Sequence, residues 1–254
     1  MKKVLITGCS SGFGLEIANH FLDRGWEVVA TMRSPETDLF PQSENLQILP
    51  LDVTKQESID QAVEDAGAID VLVNNAGVGL LSAMEGTSQE QIRHIFETNT
   101  FGPMALIRSV LPQFRERKSG VIVNVSSTVT LKSIPLLSIY TASKHALNGF
   151  SQCLALELEP FNIQVRLVLP GRAPETSFGW IVQQMMDEFP PAYTDMAHQL
   201  LQSFGDSEGP VTESVDVAEA VWRAATDPSA PIRLPAGADA VIWAEEAMMP
   251  AATA

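Results

Sequence analysis

Val4-Leu-Ile-Thr7-Gly8-Cys9-Ser10-Ser11-Gly12-Phe13-Gly14, continued by Leu15, Ile17, Ala18, Phe21 and Leu22, is the stretch that decides the fold. Val4 to Thr7 is a short apolar run of the kind a buried parallel strand makes. The later apolar residues recur with helical spacing and stop at Gly25. A glycine-rich turn between a first strand and a first helix is a phosphate cradle. Gly8 permits the tight turn, Gly12 and Gly14 allow close approach of backbone and helix, and the helix N-terminus attracts negative charge. Ser10, Ser11 and Phe13 lie in the same turn and join the glycines as expected nucleotide-binding positions.

From this unit the chain alternates strand and helix. Trp26 to Thr31 reads as a second strand. Folds that bind NAD usually end this strand in Asp or Glu, which takes the ribose 2′-hydroxyl. Here Thr31 stands at the end and Arg33 follows, and an arginine suits a 2′-phosphate, so NADP(H) is favoured over NAD(H). Leu46 to Leu51 is a third strand closing in Asp52-Val53. A polar helix spans about Lys55 to Ala66, and a fourth strand, Ile69 to Val73, ends in Asn74-Asn75-Ala76-Gly77. Asp52, Val53, Asn75, Ala76 and Gly77, at these strand ends, are expected against the cofactor. Val121 to Val125 is the fifth strand and Gln164 to Leu169 the sixth, which ends in Pro170-Gly171. Asp216 to Ala225 reads as a final helix and Ile232 to Leu234 as a short last strand. The pattern predicts an α/β fold over residues 1–254: one doubly wound parallel sheet with helices on both faces.

Two helices carry further information. Thr87/Glu90 and Ser88/Gln91 are overlapping capping boxes, and they open a helix running through Ile95 towards Leu111. Pro103 falls inside it and leaves the Asn99 carbonyl without its helical partner. That freed acceptor predicts a kink and a place for a proton-carrying water. The second helix starts at about Leu136 and ends near Glu159-Pro160, with Tyr140 and Lys144 four residues apart on one face. An ammonium beside a phenol favours the phenolate and lowers its pKa. A tyrosine so tuned takes a proton from an alcohol or gives one to a carbonyl. Ser127, at the end of the fifth strand, is placed to hold the same oxygen.

Composition narrows the partners. Net charge is −15 and the pI about 4.6, which disfavours nucleic acid and anionic membranes. Two cysteines, Cys9 and Cys153, make no disulfide framework and suit a reducing cytoplasm. No 18-residue apolar run and no signal peptide is visible. His20, His94, His145 and His198 are scattered, so no metal site is expected.

Thr-Gly-x3-Gly-x-Gly at 7–14, Asn-Asn-Ala-Gly at 74–77, Asn99, Ser127, Tyr-x-x-x-Lys at 140–144 and Pro-Gly at 170–171 together resemble the classical short-chain dehydrogenase/reductase family. The Ile-Thr-Gly-Cys-Ser-Ser-Gly start, the Ala-Thr-Met-Arg strand end and Asn-Ala-Gly-Val-Gly-Leu-Leu are most similar to the branch of 17β-hydroxysteroid and retinol dehydrogenases. The resemblance implies a catalytic tetrad of Asn99, Ser127, Tyr140 and Lys144. Tyr140 would be the acid/base and Asn99 the holder of the relay water. Lys144 would bind nicotinamide-ribose hydroxyls as well as tune Tyr140. It also implies a homodimer or homotetramer. Pro170 and Gly171 are implied as cofactor-binding too, since in the family this backbone contacts the nicotinamide amide. One departure stands out: the family's Pro-Gly-x-x-x-Thr is one residue longer here, Pro170 to Thr176, with Pro174, which cannot donate, inside. A rival reading keeps the fold as a non-catalytic nucleotide-binding regulator.

The stretch from Arg172 to Gly209 breaks the alternation and is expected to be a substrate lid. It holds Met185, Met186, Phe189, Tyr193, Met196, Leu200, Leu201 and Phe204, and no Arg or Lys after Gly179. Such walls suit a neutral, largely apolar ketone or secondary alcohol.

Overall fold

The computed structural model describes residues 1–174, 189–205 and 209–249. Among them, seven parallel strands form one sheet: β1 (Lys3–Thr7), β2 (Glu27–Met32), β3 (Leu46–Pro50), β4 (Val71–Asn74), β5 (Gly120–Val125), β6 (Ile163–Pro170) and β7 (Arg233–Ala236). Their spatial order is β3-β2-β1-β4-β5-β6-β7, so the winding direction reverses between β1 and β4. In an open parallel sheet that reversal leaves a crevice at the carboxyl ends of the strands, where ligands bind.

Side chains alternate across each strand. Val4, Ile6, Val28, Ala30, Val73 and Val123 pack towards α1 (Gly12–Leu22) and α7 (Ser214–Thr226). Leu5, Val29, Leu72, Ile122 and Val165 pack on the opposite side, with α2 (Gln56–Ala66), α4 (Gly102–Arg117) and α5 (Ser138–Leu158). Because both faces are covered, the central strands carry apolar residues at consecutive rather than alternate positions.

The helix expected to pass through Pro103 is divided. α3 (Gln89–Phe96) leads into a π-turn at Glu97–Phe101, and α4 begins at Gly102. Proline lacks an N–H, so it is tolerated in the first turn of α4, and the wide π-turn carries the chain across the break. Of the two capping boxes only Ser88/Gln91 forms, with Gln91 N donating to Ser88 Oγ at 3.1 Å and Ser88 N to Gln91 Oε1 at 2.9 Å. Thr87 turns its hydroxyl to Ala83 O instead, 2.8 Å away.

α5 starts at Ser138 rather than Leu136, because Leu136 has φ +63°, a left-handed conformation that ends regular structure. Its carbonyl accepts from Ser82 N at 2.9 Å, which ties the turn to the loop after β4. In the expected lid, Pro191–Tyr193 forms a 3-10 turn and α6 spans Thr194–Gly205. Glu175, Thr176, Met185, Met186 and the Phe204 side chain lie outside what is described.

Beyond β7, a further helix that the residue pattern does not predict, α8, spans Ala238–Met248. Its buried residues are Asp239 and Ala240, while Val241 and Ile242 are 45% and 43% exposed. Reading apolar residues as the inward face fails on such a helix.

Candidate active site

The turn after β1 is shaped by its glycines. Gly8 has φ +74°, and a Cβ there would meet Ala76 Cα at 2.9 Å; Gly12 has φ +53°. At Gly14 an added Cβ would lie 2.1 Å from Gly8 O, so only glycine lets α1 approach the strand so closely. Ser11, the N-cap of α1, makes no side-chain capping bond, which leaves the helix N-terminus open to an anion. Ser10 and Ser11 are exposed and Phe13 is half-buried. The cradle therefore fits a nucleotide diphosphate.

Thr7, the first residue of the glycine motif, locks this turn to the end of β4. Its Oγ1 accepts from Asn75 N at 3.0 Å and Ala76 N at 2.9 Å, and Asn75 Nδ2 donates to Thr7 O at 2.9 Å. Arg33 is exposed, one residue past the end of β2 and beside the strand that carries the cradle. Asp52 commits one carboxylate oxygen to Thr54, which donates from N at 3.0 Å and from Oγ1 at 2.7 Å. Burial works to raise the Asp52 pKa, but the Thr54 hydrogen bonds and the Lys55 ammonium outweigh it and hold the group below its ordinary range. Val53 is buried, and its carbonyl would be 2.8 Å from a Cβ at Gly102.

The four expected catalytic residues converge at the ends of β4 and β5. Asn99, in the π-turn, is 1% exposed. Its side chain pairs with the Val78 backbone: Nδ2 donates to Val78 O and Oδ1 accepts from Val78 N, both at 2.9 Å. Asn99 Nδ2 also reaches Ser143 Oγ at 3.2 Å, and Ser143 Oγ in turn donates to Tyr140 O at 2.7 Å. Ser143 thus ties the Asn99 turn to the Tyr140 helix, a role its place between Tyr140 and Lys144 could have signalled. A Cβ at Gly77 would lie 3.3 Å from Asn99 Oδ1 and 3.5 Å from Lys144 Nζ, so the β4 loop presses on both groups. Ser127 follows β5, and its Oγ accepts from Val129 N at 3.3 Å.

Tyr140 and Lys144 share a face of α5, and both are buried. The lowered tyrosine pKa anticipated from the sequence is not what this arrangement gives. Burial pushes the Tyr140 phenol up to about 12, against which a hydrogen bond with Ser127 works. Lys144 Nζ donates to Val125 O at 3.0 Å and lies over the Tyr140 ring, 5.9 Å from its centre. Burial brings Lys144 itself down to about 8.

Apolar side chains surround the phenol. Leu81, Ala83, Val129, Leu136 and Leu137 pack with Tyr140, and Ala197 and Leu200 of α6 close over them, with Phe189 and Tyr193 at the edge. Ile134 and Leu200 of this cluster also line a cavity of about 390 Å³ bounded by Lys132, Arg172, Ser203, Asp239, Ile242 and Trp243. Pro170 ends β6, and Gly171 N donates to Thr212 Oγ1 at 2.9 Å. Cys9 is fully buried, its thiol pushed up to about 12, and is inert. Among the described residues no cluster of three His, Cys, Asp or Glu groups is placed to hold a metal ion, and no helix is long and apolar enough to cross a membrane.

Residues 2–184 match the family model described as short chain dehydrogenase. The chain belongs to the short-chain dehydrogenase/reductase family and is an oxidoreductase of that class. Its likeness within the family is to the retinol dehydrogenase branch. It is 40% identical over 209 residues to retinol dehydrogenase 8 of Homo sapiens, covering 78% of this chain and 67% of that one. It is 37% identical to the 3-ketodihydrosphingosine reductase of Bacteroides thetaiotaomicron, over 79% of this chain and 73% of that one. Among solved structures, a short-chain dehydrogenase from Streptomyces avermitilis superposes with TM-score 0.81 at 35% identity, covering 97% of this chain and 92% of that one. The closed form of a serine dehydrogenase complexed with NADP+ superposes with TM-score 0.79 at 26% identity, over 99% and 98% of the two chains. A 3-ketoacyl-(acyl-carrier-protein) reductase from Brucella melitensis complexed with NADH does so with TM-score 0.77 at 28% identity, over 92% and 96%.

Proposed function

We propose that this oxidoreductase uses NADP(H) to interconvert a neutral, largely apolar ketone and its secondary alcohol, with Tyr140 as acid/base. The observation that carries the reading is the position of the Tyr140 phenol: hydrogen-bonded with Ser127 and set in the apolar cluster of Leu81, Leu136, Leu137, Ala197 and Leu200. Groups able to hold a substrate oxygen thus face walls that select an apolar body. The names of the two relatives, a retinol dehydrogenase and a 3-ketodihydrosphingosine reductase, support an alcohol or ketone of this kind. Lys132, at the adjoining cavity, is matched by Glu246 at 3.2 Å and by the Trp243 ring at 5.0 Å, so its charge is already balanced. Residues 172–209 serve as the lid of a single catalytic domain at residues 1–254.

Gly8, Ser10, Ser11, Gly12, Phe13 and Gly14 would hold the diphosphate. Arg33 would face the 2′-phosphate, while Asp52, Val53, Asn75, Ala76 and Gly77 would flank the adenosine and ribose. The solved serine dehydrogenase carries NADP+ and the ketoacyl reductase NADH; Arg33, with no carboxylate at the end of β2, supports the phosphorylated form. When bound, the nicotinamide supplies or accepts the hydride.

The chain's own groups manage the oxygen. Ser127 and Tyr140 grip it, and Tyr140, held as a phenol, donates its proton to a carbonyl as the alkoxide develops. Lys144, still an ammonium at neutral pH, favours the phenolate left behind. Asn99 shapes the π-turn through which a water returns the proton. In alcohol oxidation the same groups act in reverse.

The test is kcat/KM with NADPH and with NADH across steroids, aryl ketones, sugars and keto acids. Preference for the first two classes with NADPH supports the reading; preference for sugars or keto acids contradicts it.

A further inference from the structure

The loop that leaves β6 differs from the family's pattern by one residue and carries Pro174, which cannot donate a hydrogen bond. Something other than its own sequence has to fix its start. β6 lies next to β5, whose end carries Ser127, and Ser126 N donates to Val168 O at 2.7 Å. Gly171 and Arg172 therefore stand on the Tyr140 side of the crevice, three strands from the Gly8–Gly14 cradle. A dinucleotide whose diphosphate sits in the cradle and whose reacting ring meets Tyr140 must bring that ring close to this loop.

The start of the loop is held from α8. Asp239 is 5% exposed, and its Oδ2 accepts from Arg172 N at 2.6 Å. Its Oδ1 lies 2.7 Å from Thr212 Oγ1. That hydroxyl accepts from Gly171 N at 2.9 Å and faces Ala236 O at 2.9 Å, while Thr212 N donates to Arg172 O at 2.8 Å. The fit is tight: a Cβ at Gly171 would lie 2.3 Å from the Asp239 carboxylate, and one at Gly237 would lie 2.1 Å from Thr212 Oγ1. A buried carboxylate is retained only where donors satisfy it, and here the donors come from the backbone and from Thr212. Ile242 and Trp243, one turn further along α8, line the cavity that adjoins the Tyr140 cluster.

We infer that Asp239 is a positioning residue for the hydride step: with Thr212 it sets the Gly171–Arg172 backbone against the nicotinamide half of the cofactor. Its effect is confined to that half, because nothing in the clamp reaches the cradle or Arg33. The inference rests on the NADP(H) reading above.

The experiment compares binding of NADPH with binding of 2′-phospho-ADP-ribose, which has no nicotinamide, in wild type, Asp239→Ala, Asp239→Asn and Thr212→Val. Asp239→Ala is expected to weaken NADPH about tenfold and to lower kcat by about 10–10²-fold, the upper end being the cost of a reacting group misplaced by about an ångström. The fragment should bind with unchanged affinity. Asparagine can accept from Arg172 N and donate to Thr212 Oγ1, so Asp239→Asn should recover most of the loss. Thr212→Val should reproduce the NADPH-selective loss, and it decides the matter if Asp239→Ala does not fold. Equal weakening of both ligands, or no change in either, would overturn the inference. A wild-type protein that binds NADPH yet reduces no ketone would contradict the proposed reaction while the binding comparison still decides Asp239's part. Failure of wild type to bind NADPH would overturn both.

Discussion

Asn99 and Val78 are joined by two hydrogen bonds of 2.9 Å, side-chain amide to backbone N–H and C=O. The pair welds the π-turn between α3 and α4 to the loop after β4. Asn99→Ala leaves both Val78 groups without that partner. The expected cost is about 1–3 kcal/mol for each group left unsatisfied, read by urea denaturation, together with a fall in kcat. A variant as stable as wild type would show that the clamp contributes nothing.

Gly14→Ala tests the cradle. The new Cβ would lie 2.1 Å from Gly8 O, so helix and turn must separate. Overpacking of this kind costs about 1–3 kcal/mol, and the widened turn should bind NADPH weakly. Fluorescence titration with NADPH measures it; wild-type affinity would mean that the tight approach is irrelevant to binding.

Arg33→Ala should weaken NADPH by about 1.5–3 kcal/mol, the range for hydrogen bonds to a charged group, and leave NADH nearly unchanged. Equal losses for the two nucleotides, or a wild type that already prefers NADH, would contradict the assignment of Arg33.

Lys144 and Tyr140 make the pH dependence specific. With Lys144 at about 8, its ammonium is lost as the pH rises through that value, while Tyr140 at about 12 stays protonated. Ketone reduction should therefore decline above pH 8, and Lys144→Met should abolish that inflection along with most of the rate. Stability should move the other way. Because the folded Lys144 value lies below the ordinary 10.5, its contribution is complete above that ordinary value and is lost as the pH falls through about 8. Tyr140, raised from 10.0, contributes stability that is present below pH 10 and lost as the pH rises through about 12. Between pH 8 and 10 the lysine acts alone, so unfolding free energy should rise there relative to Lys144→Met.

Much of this site was legible in the chain. The β1 cradle, the strand ends at Asn75 and Ser127 and the Tyr140/Lys144 face follow from local periodicity and from residues with few physical uses. Pro103 marked the break in the helix, and the π-turn is how the chain accommodates it. What was not legible depends on tertiary packing. Leu136 takes a left-handed turn with no glycine or asparagine to announce it. The Tyr140 phenol rises instead of falling because burial, which the sequence does not display, outweighs the Ser127 hydrogen bond. α8 escaped because a charged residue, Asp239, is buried in it beside Ala240 while the larger apolar Val241 and Ile242 stay exposed.

The central claim is that the Tyr140 hydroxyl supplies the proton, and Tyr140→Phe tests it most directly. The variant removes one oxygen and keeps the ring in its apolar cluster. With NADPH and the best apolar ketone, kcat should fall by about 10²–10⁴-fold, the contribution of a positioned acid or base, while NADPH affinity is retained. A variant that keeps more than about a tenth of the wild-type kcat, far above that range, would contradict the account.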